Sequence, residues 1–271
     1  MDAREFALIL DRFALSGEGY RKVRRGVQKR IVRHMQALGC PSMRAYLQRL
    51  DADGEAETGA RRLLDVSISR FFRDGEVWQV LGEEILPSLA AAHPAGLRIW
   101  SAGCALGQEV YSIRILWALL SEKAPSTPPL DLWATDVNAA CLERAIEGVY
   151  PARALARVPA QAKARFLRPA GKGNCRVVEE LQQGIRWEVR DLAAGPPPAR
   201  DFHVVFLRNN LLTYYRKEIV EAVLPAIVKS LAAGGCLIIG RKERLPDILQ
   251  GFDPHPAVPC LFRKRQSGIS G

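Results

Sequence analysis

LRIWSAGCALGQEVYSIRI, residues 97–115, is the stretch on which the reading of this chain turns. Leu97, Ile99 and Trp100 are strand formers, and Gly103 and Gly107 allow tight backbone geometry. From Val110 onward apolar residues recur at helical spacing, at Val110, Ile113, Trp117 and Leu120. The pattern predicts a strand, a turn and a helix start, and such a turn presents free amide groups to a ligand. The stretch lacks the GxGxxG spacing of dinucleotide-binding turns. By itself it therefore does not separate a nucleotide-type ligand from an ordinary tight connection.

Toward the C-terminus, LDLWAT is a second strand that ends on Asp136, one βα unit after the glycine turn. In a parallel doubly wound sheet that position lies outside the carboxyl end of a strand, where ligands bind. A carboxylate there either accepts ribose hydroxyls or caps the helix starting near Ala139, with Asn138 as the competing cap. AACLERAIEGVY is a helix closing at Gly148. Residues 150–190 then break the alternation with a helix around 161–167, a PAGKGN loop and two strand-like runs, CRVVEEL and GIRWEV. With no crossover helix between them, the two runs are expected to form an antiparallel insertion at about residues 165–190. DFHVVFLRNN reads as a buried strand, 216–232 as a helix, Gly234-Gly235 as a turn, and CLIIG and CLFRK as further strands. The order is that of an α/β fold with helices between parallel strands.

Toward the N-terminus, VSISRFFRD precedes a helix on Val77, Val80, Leu81 and Ile85, and the acidic stretch DADGEAETGA (51–60) reads as a connection. Two domains follow, a helical one over 1–60 and an α/β one over 61–271. In the first, Phe6, Ile9, Leu10 and Phe13 share a helical face, with Gly17 and Gly19 expected to end that helix. A second helix from Tyr20 to Leu38 carries an apolar stripe, while Arg25, Lys29 and Arg33 fall at i, i+4 and i+8 on another face. Ser42 is a candidate cap for a third helix through Leu50. Residues 1–50 hold 11 Lys/Arg against 4 Asp/Glu, and no acid occurs from 20 to 50. That uncompensated charge points to an acidic partner.

The 271 residues are 48% hydrophobic and 25% charged, a globular composition with a formal net charge of +10. No apolar run approaches the roughly 20 residues of a membrane span. The N-terminus carries acids and lacks a signal-peptide pattern, so a cytoplasmic location is expected. The six cysteines are scattered singly without CxxC spacing, which predicts reduced thiols and no metal site. The four histidines are likewise isolated. The basic charge alone suggests nucleic acid, but no recognition motif accompanies it.

Four ordered phrases, SISRFFR (67–73), SAGCALGQEVYS (101–112), ATDV (134–137) and LRNNLLTYY (207–215), resemble those of the CheR-type chemotaxis receptor methyltransferases. That family transfers methyl groups from S-adenosylmethionine to glutamate side chains. The resemblance covers nearly the whole chain. It implies a Rossmann-like, doubly wound methyltransferase fold with an N-terminal all-helical domain and a small antiparallel β insertion. It implies S-adenosylmethionine as cofactor, with S-adenosylhomocysteine as product. Carried over by position, Glu109 would meet the amino group of the methionine moiety and Asp136 the ribose hydroxyls. Arg73 would hold the methionine carboxylate or the substrate. Gly103 lies in the cradling turn, Ser67 and Ser69 match the cofactor-contacting phrase, and Asp191 and Leu192 match the pair near the adenine. Arg208 and Asn209 stand beside the transferred methyl. The catalytic set implied is Arg208, Asn209, Arg73 and Tyr214.

The chain departs from the family at several places. Ser67 replaces an asparagine, Gln108 a glutamate and Val110 a proline. Thr213 stands at the family's tyrosine, with Tyr214 one position later, and Gly240–Glu243 reads GRKE where the family has GHSE. The expected partner is an acidic, chemoreceptor-like helical bundle contacted by residues 20–50, and the expected state is a monomer. The β insertion would either dock a receptor tail or cover the cofactor. The alternatives are a methyltransferase on another acceptor and a cofactor-binding regulatory module without turnover.

Overall fold

The computed structural model describes residues 1–66, 69–247 and 249–266. The chain divides into two compact units, Met1–Val66 with Asn210–Val220, and Ser67–Asn209 with Glu221–Gly271.

The first unit is helical. Helix α1 (Ala3–Arg12) starts in a capping box, in which Asp2 accepts the Glu5 N–H at 2.8 Å and Glu5 accepts the Asp2 N–H at 2.8 Å. It closes at Arg12, ahead of Gly17 and Gly19. Helix α2 (Arg24–Ala37) begins later than its apolar stripe suggests. Tyr20 is instead buried before it, its hydroxyl donating to the Leu64 carbonyl at 2.8 Å. Helix α3 (Met43–Ala52) is capped by Ser42 as expected.

DADGEAETGA is not a connection, because most of it lies in helix α4 (Gly54–Leu64). Asp53 caps this helix by accepting the Glu55 and Ala56 N–H groups, and Ala56, Ala60 and Leu64 bury one face at i, i+4 and i+8. The buried positions are mostly alanine, so the segment looks weakly hydrophobic in sequence while still packing against α2 and α3. The segment 210–220 completes the unit. Tyr215 bridges to Leu15, the Ser16 N–H donates to the Tyr214 carbonyl at 2.8 Å, and Arg61 lies over the Tyr215 ring.

In the second unit, α5 (Gly75–Val80) continues through a π turn at Leu81–Ile85 into α6 (Leu86–Ala92). Then come β1 (Leu97–Ala102), α7 (Gln108–Lys123), β2 (Leu130–Asp136), α8 (Ala139–Glu147) and β3 (Val149–Pro151). They are followed by α9 (Ala160–Phe166), β4 (Leu167–Pro169), β5 (Asn174–Val177), α10 (Glu179–Gln182), β6 (Ile185–Val189) and β7 (Phe202–Leu207). After the short α11 (Leu211–Tyr214) of the helical unit and α12 (Lys217–Lys229), the chain ends with β8 (Leu231–Ile239), β9 (Phe252–Pro254) and β10 (Leu261–Lys264).

The main sheet has seven strands in the order β6-β2-β1-β7-β8-β10-β9. β6 through β8 run parallel, while β10 is antiparallel to β8 and to β9. Central parallel strands are covered on both faces, which is why β7 is apolar at every position but His203 and why Ile99, Trp100, Val204 and Val205 are fully buried.

Two expectations are corrected. GIRWEV is not part of an antiparallel insertion; as β6 it pairs parallel with β2 at the sheet edge, with the one-turn helix α10 between it and β5. The insertion is the three-stranded sheet β3-β5-β4, so it spans 149–177 rather than 165–190. Gly234-Gly235 is not a turn but lies inside β8, where the register with β7 shifts as at a bulge. Among the described residues, no helix is long and apolar enough to cross a membrane.

Candidate functional site

The carboxyl ends of β1, β2, β7 and β8 gather most of the residues singled out in the sequence. The turn after β1 is tied to its neighbour strand, the Gly103 and Cys104 N–H groups both donating to the Thr135 carbonyl at 2.8 and 2.9 Å. Gly107 opens α7 with φ +79, and a Cβ there would lie 2.8 Å from the Ala145 Cβ and 3.2 Å from the Tyr150 hydroxyl. Only glycine satisfies both the left-handed backbone and this close approach.

Asp136 ends β2 beside this turn. Its Oδ2 accepts the Ala105 N–H at 2.8 Å and its Oδ1 the Asn138 N–H at 2.9 Å. The cap of α8 is Asn138, whose Oδ1 accepts from Ala140 and Cys141. Asp136 is thereby released from the capping role that the sequence left open. Burial raises its carboxyl above the ordinary value, and the backbone hydrogen bonds offset part of that rise.

Glu109 projects from the first turn of α7. Its Oε1 accepts the Ser101 hydroxyl at 2.8 Å and its Oε2 an Arg208 N–H at 3.1 Å. The Arg208 side chain is only 4% exposed. It also donates to the Arg73 carbonyl at 3.2 Å and pairs with Asp74. One guanidinium thus joins the end of β7, the start of α7 and the loop before α5. That loop is bent sharply, with φ +48 at Phe72 and φ +58 at Asp74. It is braced by the Phe72 N–H on the Ser112 hydroxyl at 3.0 Å and by the Trp78 indole N–H on the Arg73 carbonyl at 2.7 Å. Backbone strain of this kind persists only where the surroundings over-determine it.

Asn209 also adopts a left-handed backbone, φ +56, and its N–H donates to Glu243 at 3.0 Å. Asp191 accepts the Ala193 N–H at 2.8 Å in the turn after β6. The buried Leu192 borders a cavity of about 300 Å³ together with Trp100, Pro196 and Ile227. Ser69 is half-buried, and Ser67 lies outside the described residues. Tyr214 belongs to the helical unit, where its ring meets that of Tyr20 edge-on at 5.1 Å.

The structure therefore brings Arg73, Glu109 and Arg208 together by direct bonds, and ties Gly103 and Asp136 to the same turn region. The sequence reading missed Asp74, Ser101 and Glu243. Asp74 had a local signal, an acid directly after the arginine of RFFRD, and Ser101 meets Glu109 within the same strand-turn-helix, whereas Glu243 reaches Asn209 only because β8 pairs with β7.

Residues 67–257 match the family model described as CheR methyltransferase, SAM binding domain. An uncharacterised 104.1 kDa protein of Rhodobacter capsulatus is 32% identical over 99% of this chain, which spans 28% of that relative's length. A chemotaxis protein methyltransferase of Vibrio parahaemolyticus is 31% identical over 72% of this chain and 70% of its own length. Chemotaxis protein methyltransferase 2 of Pseudomonas aeruginosa is 31% identical, with 80% and 77% covered. The matched span includes Arg73, Glu109, Asp136, Arg208 and Asn209, and the chain belongs to the CheR family of S-adenosylmethionine-dependent methyltransferases, with residues 67–257 as its cofactor-binding domain.

Proposed function

We propose that the chain methylates glutamate side chains of an acidic, chemoreceptor-like helical protein. The observation that carries this reading is the pair of carboxylates at the carboxyl ends of the adjacent strands β1 and β2, Glu109 in the first turn of α7 and Asp136 as the last residue of β2. A helix N-terminus and a glycine turn alone would suit a phosphate. A carboxylate in the first turn of α7 repels a phosphate and suits a cationic amino group. Asp136 beside it suits hydroxyl donors, since each carboxylate oxygen accepts more than one hydrogen bond. These residues fit S-adenosylmethionine, which supplies an electrophilic sulfonium methyl when bound.

The remaining work falls to positioning. An acceptor glutamate, which in water titrates near a pKa of about 4.3, is already a carboxylate nucleophile at neutral pH and needs no general base. The chain must align that oxygen and exclude water from it. Arg208 is buried between two carboxylates, so its part is to hold Glu109 and the Arg73–Asp74 loop in place. Arg73, with 35% of its side chain exposed, is the guanidinium suited to grip the acceptor carboxylate. Asn209 stands next to Arg208 at the end of β7. Arg25, Lys29 and Arg33 are all exposed along α2 and form the basic stripe that would face the acidic partner. The sheet β3-β5-β4 leaves β3 and β4 as edges on which a receptor tail could add as a strand. A cytoplasmic monomer with reduced cysteines completes the reading.

The test is transfer of a labelled methyl group to an acidic helical acceptor, followed by mild base. Release of labelled methanol supports a glutamyl ester. A base-resistant product points to another acceptor chemistry, and cofactor binding without turnover on any acceptor points to a regulatory module.

A further inference from the structure

We propose that Glu243 is a positioning residue for methyl transfer, acting through Asn209; the inference rests on the methyltransferase reading above. One carboxylate oxygen of Glu243 accepts two backbone protons, from Gly240 at 2.6 Å and from Asn209 at 3.0 Å. Strands β7 and β8 are parallel neighbours paired up to Leu207 and Ile239, so Asn209 and Gly240 follow their two carboxyl ends. Glu243 thus fastens one strand end to the other at the rim where the site is built. A charged acceptor shared by two amides is a strong, directional restraint.

What it restrains is a residue that needs restraining. Asn209 has φ +56, in a region that non-glycine residues enter sparsely, and it directly follows the buried Arg208. The side chain of Asn209 lies against Gly240: a Cβ at Gly240 would overlap the Asn209 Nδ2 and stand 2.7 Å from the Glu243 Oε2. Backbone and carboxamide of Asn209 are therefore both set by the Gly240–Glu243 turn.

Gly240 and Glu243 are the two residues of the GRKE turn that contact Asn209. The two between them, Arg241 and Lys242, are exposed, and Arg241 pairs with Glu76 at 3.1 Å. The turn can vary in its middle while its ends hold the strand termini.

The experiment compares the whole chain with Glu243→Ala, Glu243→Gln and Gly240→Ala in three measurements: calorimetric S-adenosylmethionine affinity, kcat and KM on an acidic helical acceptor, and hydrogen exchange of the Asn209 and Gly240 amides. Misplacement of a positioning group costs on the order of 10–100-fold in rate. The expected result for Glu243→Ala is a kcat loss of that order, cofactor affinity within about threefold of wild type, and lost protection at both amides. Glu243→Gln keeps an acceptor oxygen and should recover most of the rate. Gly240→Ala should lower kcat by displacing the Asn209 side chain. If Glu243→Ala does not fold, the Gln and Gly240 variants carry the test. Wild-type kcat in the folded Ala variant overturns the proposal, as does a rate loss that merely follows lost cofactor affinity. Should the wild type methylate no acidic acceptor, the functional reading fails by itself. Exchange then still decides on Glu243: lost protection in the variant supports its hold on Asn209, and unchanged protection overturns it.

Discussion

Arg208 carries one positive charge between the carboxylates of Glu109 and Asp74, with almost none of its side chain in water. Such a cluster owes its stability to completeness, since breaking a buried pair by removing one partner costs about 3–5 kcal/mol. Arg208→Met should lower unfolding free energy in urea by about that amount and weaken cofactor affinity, because Glu109 loses its anchor. Arg208→Lys restores the charge without the fork that reaches three acceptors, so it should recover only part of the stability. Asp136 offers a separate test. Asp136→Ala should sharply weaken S-adenosylmethionine binding in calorimetry with the fold intact, and unchanged affinity would remove Asp136 from the site. Its pH dependence has a definite sign. Burial raises the folded carboxyl above 3.8, so Asp136's stabilising contribution is full below that ordinary value and is lost as pH rises through the folded one. Asp136→Asn has no such titration. Wild-type stability minus that of the variant should therefore fall with rising pH across a window opening at 3.8, measured by urea unfolding without cofactor.

At the scale of the element, α2 and α4 show how composition and packing divide the work. Val27 and Ile31 of α2 are buried while Arg25, Lys29 and Arg33 face water, so the stripe adds little to the core. Replacing all three by alanine should leave cofactor affinity unchanged, weaken methylation of an acidic partner and flatten its dependence on salt. Equal methylation would make the stripe a merely solvated face. Helix α4 makes the opposite case. Its first seven residues, GEAETGA, are small and acidic, yet Ala60 is fully buried. Ala60→Leu should cost about 1–3 kcal/mol in thermal or chemical unfolding through overpacking, whereas a surface connection would tolerate it.

For the whole molecule, the decisive feature is that the helical unit is discontinuous in sequence. Residues 210–220 leave the end of β7 and join Met1–Val66, where Tyr214 meets Tyr20, Tyr215 bridges to Leu15 and the Arg216 N–H donates to the Ala14 carbonyl at 3.0 Å. A fragment of residues 67–271 would leave these tyrosines uncovered. We expect it to unfold at a lower temperature than the full chain and to scatter light on heating; an unchanged midpoint would show that the segment needs no helical partner. The same feature accounts for Tyr214. Its place in the phrase LRNNLLTYY suggests a catalytic role, but its ring is part of the helical unit's packing.

By itself, the sequence determined the features that depend on near neighbours. The strand-turn-helix of 97–115, the end of β2 at Asp136, the Ser42 cap and the buried strand 202–207 are set by periodicity, capping and local backbone freedom, each acting over a few residues. Tertiary structure alone decided which distant partner each element meets. GIRWEV alternates as well as any hairpin strand, and only the competition for the edge of β2 made it parallel. Arg208 could have met an acceptor or an internal carboxylate, and it met Asp74 across 134 residues of chain. Asn209 meets Glu243 because parallel pairing of β7 with β8 brought the Gly240–Glu243 turn against it. The physical reason is one of range: conformational preference is a property of neighbours along the chain, whereas the satisfaction of a buried charge or sheet edge is settled by whatever the fold brings within about 3 Å.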